Sequence, residues 1–99
     1  MQITAVHFDA DQKLVAYIEK KVSKLAQFFD RIVDCSVFLK LENSGQVKDK
    51  IVEFRLNIPG ETLLATETHK TFEAATDLAL DNMKRQLVRA KEKMRLKSA

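Results

Sequence analysis

One cysteine, one proline, two glycines and no tryptophan occur in the 99 residues of this chain. A single cysteine, Cys35, cannot close an internal disulfide, which fits a reducing compartment and leaves the fold to packing. Two glycines do not build a phosphate-cradling loop, zinc spacings are missing, and no serine has an evident activating partner. Catalysis, a metal, a cofactor and a small-molecule substrate are therefore not expected. No run of ~18 apolar residues occurs, and the opening MQITAVHFDA lacks a basic segment and meets Asp9, unlike a secretory signal. The expected location is the cytoplasm, with no membrane partner. What is present, 45% hydrophobic and 31% charged side chains, suits one compact domain over residues 1–99.

Charge is unevenly placed. Residues 1–83 hold ten basic and thirteen acidic side chains, whereas KRQLVRAKEKMRLK, residues 84–97, holds seven basic side chains against Glu92 alone. The chain's formal surplus of +3 thus originates in one segment.

Scarce turn residues make the punctuation legible. Asn43-Ser44-Gly45-Gln46 and Pro59-Gly60 separate three alternating runs, as hairpin turns do. In the first run Val33, Cys35, Val37, Leu39 and Leu41 form the expected buried side. In the second Val52, Phe54, Leu56 and Ile58 do so. Thr62–Thr68 reads as a third strand and Gln2–Phe8 as a strand at the start of the chain. Helical periodicity covers 11–29, where Leu14, Ile18, Leu25 and Phe29 share a face. It recurs over 71–95, with Phe72, Ala79, Met83, Leu87, Ala90 and Met94. Thr71 is placed to cap the second helix and Glu73 suits its first turn. The fold class is α+β, β-α-β-β-β-α: a four-stranded mixed sheet with two parallel helices on one face.

With the helices side by side, their flanks acquire meaning. Lys13, Tyr17, Lys20 and Lys24 line one flank of the first helix. On the second helix Lys84, Lys91 and Arg95 fall on one flank, and Arg85, Arg89 and Lys93 on the other. Lys13, Lys20 and Lys24 are expected to share a groove with Lys84, Lys91 and Arg95, a like-charged arrangement that makes sense if an anion fills it. The helix macrodipole accounts for two or three cations near a C-terminus, not for seven over four turns, so binding of a nucleic acid or other polyanion is preferred. His7, Asp9 and Asp11 alternate as in some metal sites, but acids just before a helix are better read as caps. Cys35 falls on a buried strand face and reads as a core residue. His69 has no neighbour that would make it a base.

The stretch KKVSKLAQFFDRI, residues 20–32, and the run from Asp77 to Lys93 resemble the ribosome hibernation promoting factor family, whose relatives include the ribosome-associated translation inhibitor. The likeness spans almost the whole chain and is similar to the short form, without a long acidic tail or a further C-terminal domain. The resemblance implies a translation inhibitor, without catalysis, whose basic helices contact ribosomal RNA in the decoding channel of the small subunit, in some members alongside a second, ribosome-pairing factor. It places RNA-contacting positions on Lys21, Lys24, Arg85, Arg89, Lys91 and Lys93. Together with the flank pattern, the expected RNA-binding set is Lys20, Lys21, Lys24, Lys84, Arg85, Arg89, Lys91, Lys93 and Arg95. The chain departs from the family at Glu73, where an aromatic is usual, Thr76, where an aliphatic is usual, and Asn82, where a lysine is usual. The alternatives are a free double-stranded RNA-binding module and a protein-interaction domain with a basic C-terminal helix.

Overall fold

The computed structural model describes residues 1–44 and 47–97, so Gly45 and Gln46 of the first expected turn lie outside the described residues. The element order is β1 (Gln2–Ala5), α1 (Gln12–Phe28), β2 (Asp34–Ser44), β3 (Val47–Ile58), β4 (Glu61–His69) and α2 (Phe72–Lys97). The strands form one sheet in the order β1-β2-β3-β4, with β1 parallel to β2 and the other neighbours antiparallel. This is the mixed α+β sheet that the alternation of elements implied. Pro59 and Gly60 close the β3–β4 hairpin, and Gly60 takes a φ of 81°, as the second central residue of a type II turn requires.

Local chemistry sets the helix ends. The Asp11 carboxylate accepts from the Lys13 amide at 3.0 Å and begins α1; Asp11, rather than Asp9, is the cap. Phe29 ends α1 by turning extended, and its ring drops into the core with 2% of the residue exposed. Thr71 Oγ1 accepts from the Ala74 amide at 3.1 Å and begins α2. The core joins Ile18 and Leu25 of α1 and Met83 and Leu87 of α2 to Val37, Leu39, Val52, Phe54 and Leu56 of the sheet. Each such side chain contributes about 1.5–3 kcal/mol by leaving water. Tyr17 meets Asp77 and Phe28 meets Lys91, so residue numbers rise together along both helices and the two run the same way.

Three expectations require correction. The strand expected over Gln2–Phe8 stops at Ala5, because His7 adopts a φ of 65° and turns Phe8 inward to stack on Phe72 at 5.4 Å. Val33 and Leu41, expected on the buried side of β2, are 67% and 44% exposed. Val33 precedes the strand proper. Leu41 pairs with Lys50, whose ammonium reaches back 5.8 Å to the ring of Phe72 at the start of α2, so Leu41 lies past the helical cover. The third correction concerns Lys20 and the groove.

Candidate nucleic-acid interface

The flank of α1 that faces α2 carries Tyr17, Lys21, Lys24 and Phe28, spaced i, i+4, i+7 and i+11. Opposite them α2 presents Glu73, Asp77, Leu80, Asp81, Lys84, Lys91 and Arg95. The groove between the helices changes character along its length. At its N-terminal end a recess is bounded by the Phe8–Phe72 stack, Asp9, Asp11, Lys13, Tyr17 and Glu73. Next, the Tyr17 hydroxyl donates to Asp77 Oδ1 at 2.7 Å, and Lys21 Nζ lies 3.7 Å from the same oxygen and 5.3 Å from the Tyr17 ring centroid. The hydrogen bond to Asp77 raises the Tyr17 pKa, helped by burial and by the charges of Asp77 and Glu73.

Farther along, Lys21, Lys24 and Lys84 share a cleft of about 390 Å³ with Asp77 and Asp81. At the C-terminal end, Lys91 Nζ sits 5.0 Å from the Phe28 ring centroid and donates to the Phe28 carbonyl at 3.4 Å. Beyond it Phe29, Asp30, Arg31, Lys91, Met94 and Arg95 enclose a cleft of about 350 Å³.

This geometry revises the expected groove. Lys21 lines it and Lys20 does not: Lys20 is exposed and borders none of these clefts. At 100° per residue Lys21 falls about 50° from the mean direction of Ile18 and Leu25, the most deeply buried residues of α1, and Lys20 about 150° from it, so Lys21 reaches the rim and Lys20 faces away. Nor is the groove uniformly positive. Lys13 lies among acids, Asp77 and Asp81 temper Lys21, Lys24 and Lys84 in the middle, and the cationic surplus grows toward the C-terminal end, where Arg31, Lys91 and Arg95 stand with Asp30.

Arg85, Arg89 and Lys93 occupy the other flank of α2 and are exposed. Nearer its N-terminus that flank is turned toward β4, where Gln86 Nε2 donates to the Leu64 carbonyl at 2.7 Å and to Asn82 Oδ1 at 3.0 Å. These bonds cover part of an otherwise open sheet edge, giving Asn82 a structural use at its unusual position. Thr76, a second unusual position, is fully buried and its hydroxyl has no hydrogen-bond partner among the described residues. Sequence reasoning did not place Phe28 or Arg31 beside the groove. Phe28 was detectable, since it continues the spacing of Tyr17, Lys21 and Lys24; Arg31 lies beyond the helix, where periodicity carries no information.

Among the described residues no group of three or more His, Cys, Asp or Glu side chains could hold a metal ion, and no helix is long and apolar enough to cross a membrane. Cys35 is buried, and burial pushes its thiol up to about 11, opposed by the N-terminal amine and aided to a lesser degree by Asp34. A thiol so raised stays protonated at neutral pH.

Fold and surface together define a small α+β domain with a charged helical face. Comparison with known proteins narrows this further. The family model for sigma 54 modulation protein / S30EA ribosomal protein matches residues 1–95, and the chain belongs to that family, whose members act by binding and not as enzymes. It is 36% identical over 93 residues to the ribosome hibernation promoting factor of Azotobacter vinelandii, covering 94% of this chain and 83% of that one. To the factor of the same name from Escherichia coli K12 it is 30% identical over 95 residues, covering 96% of both. Among solved structures, a ribosomal subunit interface protein from Coxiella burnetii superposes with a TM-score of 0.81 at 23% identity, covering 93% of this chain and 99% of that one. The N-terminal domain of Thermus thermophilus Protein Y gives 0.69 at 22% identity, covering 89% and 93%. The last two likenesses speak to the fold.

Proposed function

We propose that this chain is a ribosome hibernation factor: a cytoplasmic protein that binds the small ribosomal subunit and plugs its decoding channel, holding ribosomal RNA through the C-terminal halves of its two helices. The carrying observation is the gathering of exposed cations on both flanks of α2, with Lys84, Lys91 and Arg95 toward the groove and Arg85, Arg89 and Lys93 on the other flank. Lys24 and Lys21 extend this surface across the groove, and Lys20 adds charge from the exposed side of α1. A band of cations along the C-terminal half of α2 fits a backbone of phosphates, and the family relationship makes ribosomal RNA its source. Binding there excludes tRNA and messenger RNA by occupancy, so no reacting group is needed. A second factor that pairs idle ribosomes is a further expected partner. A free double-stranded RNA module is disfavoured because such modules grip phosphate at the start of the last helix, and here that turn carries Glu73.

Sedimentation of starved-cell lysate through sucrose tests this reading directly. The protein is expected with small subunits and whole ribosomes; recovery only in the ribosome-free top fractions would overturn it. Binding should also weaken steeply with salt. Five phosphate contacts at about −0.7 each give a fall of roughly 3 to 4 in log K per tenfold rise in monovalent salt. A flat response in small-subunit binding would remove the basic helices as the contact surface.

A further inference from the structure

Phe28 stands apart from the chain's other aromatics. Among the described residues it is the one aromatic that is exposed, at 41%, while Phe29 beside it is buried at 2%. The consecutive phenylalanines divide the work: one closes the core at the end of α1, and the other stays at the surface. An exposed phenylalanine by itself needs no explanation. Its surroundings do, because Lys91 Nζ stands 5.0 Å from the Phe28 centroid and also lines the adjoining cleft, where Arg31 and Arg95 outnumber the one acid, Asp30. The Phe28 carbonyl takes one of the three Lys91 donors, at 3.4 Å, leaving others available to an anion.

From this arrangement we infer that Phe28 is a base-stacking platform: an unpaired nucleobase of a single-stranded RNA segment lies on its ring while Lys91 and Arg31 hold the adjoining phosphates. An exposed aromatic ring beside a cationic cleft is the combination that single-stranded nucleic acid requires, since every base has a face to stack and every linkage a charge to neutralise. The cleft, at about 350 Å³, falls in the size range of small-ligand sites. The other groove aromatic, Tyr17, has its hydroxyl committed to Asp77, an acid that repels phosphate, so the stacking position belongs to Phe28 alone. This inference rests on the RNA-binding reading above and specifies which base-contacting side chain it uses.

The chain contains no tryptophan, so Phe28→Trp introduces a single indole reporter, excited selectively beyond the tyrosine band, on a side chain that already stands in water. The probes are a short single-stranded RNA, an abasic oligonucleotide of equal length and charge, and poly-glutamate. Quenching by the RNA and little by the abasic strand is expected; equal quenching by the abasic strand, or by poly-glutamate, would overturn the inference, the latter in favour of an acidic protein partner. In parallel, Phe28→Leu should lower affinity for purified small subunits roughly tenfold, within the span of stacking losses measured by side-chain truncation, while Phe28→Trp retains it. Arg31→Ala should weaken intact and abasic strands alike. If the wild-type chain binds subunits and Phe28→Leu binds them equally well, Phe28 is not a platform. If the wild-type chain fails to bind subunits, the proposed function falls, and the oligonucleotide arm still decides whether Phe28 stacks.

Discussion

The two ends of the groove are built alike and charged oppositely. Toward the N-terminus an α1 aromatic, Tyr17, faces an α2 acid, Asp77; toward the C-terminus an α1 aromatic, Phe28, faces an α2 cation, Lys91. The parallel helices repeat the rung, and the α2 residue decides what it accepts. Asp77 already has Tyr17 and Lys21, so the N-terminal end is satisfied from within. The C-terminal end keeps a cationic surplus for something outside the chain. On the proposed function, the placement of KRQLVRAKEKMRLK late in α2 divides the groove into a part that fastens the helices together and a part left to bind RNA.

The largest expected effect breaks both ends together. Leu87 is fully buried on α2 between them, and Leu87→Ala should cost about 2–5 kcal/mol in unfolding free energy, measured in urea, by leaving a cavity under the helix pair. A smaller loss would mean that α2 settles into the gap and that the rungs are less firmly held than their spacing implies.

Thr76 sharpens the comparison from the other direction, because it strains the N-terminal end without touching its charge. Its buried hydroxyl is unpartnered, so Thr76→Val should raise stability by about 1 kcal/mol, seen as a melting temperature some 4–8 °C higher. Small-subunit affinity should not move. If affinity followed stability, binding would depend on helix order and not on the cations.

The smallest effect is at Asp77. Replacement by Asn frees Lys21, should strengthen polyanion binding a few-fold, and should cost no more than about 1 kcal/mol of stability, as exposed ion pairs do. The chain has one tyrosine, so phenolate absorbance reads Tyr17 alone. Its midpoint should lie above 10.0 in the wild-type chain and fall toward that value in Asp77→Asn. The sign follows from linkage: a phenol whose pKa is raised by folding contributes stability that is complete below the unfolded value and is lost as pH rises through the folded one. The tyrosine's part in stability should therefore vanish only under strongly alkaline conditions. An unshifted midpoint would mean that the Tyr17–Asp77 rung does not persist in solution.

Much of this was legible in the residues, for local reasons. Asp11, Thr71 and Pro59-Gly60 are punctuation whose effect is exerted within a few positions, so helix starts and the β3–β4 turn could be read directly. The bend at His7 could not, because a histidine carries no strong preference for positive φ and is held there by a stack between Phe8 and Phe72, sixty-four positions apart. The set of basic residues was likewise readable, but not the acids that face them: Asp77 and Asp81 enter the groove through the register of two helices separated by three strands. The exchange of Lys20 for Lys21 has the same origin, since the rotation of α1 is decided by what Ile18 and Leu25 meet in the core.

The most direct test compares charge reversals at the two ends. Lys84→Glu with Lys91→Glu alters the C-terminal part of the groove, and Lys13→Glu with Lys70→Glu makes the same change in net charge near the N-terminal ends of the helices, where Lys13 and Lys70 are exposed. Affinity of each double variant for purified small subunits is measured at matched salt, after thermal melting has shown both to be folded. The first pair should lose roughly 10- to 100-fold, as expected when phosphate contacts are replaced by repulsion, and the second should remain within a few-fold of wild type. Equal losses in the two variants would show that net charge alone governs binding, and would contradict a groove divided into a fastened end and a binding end.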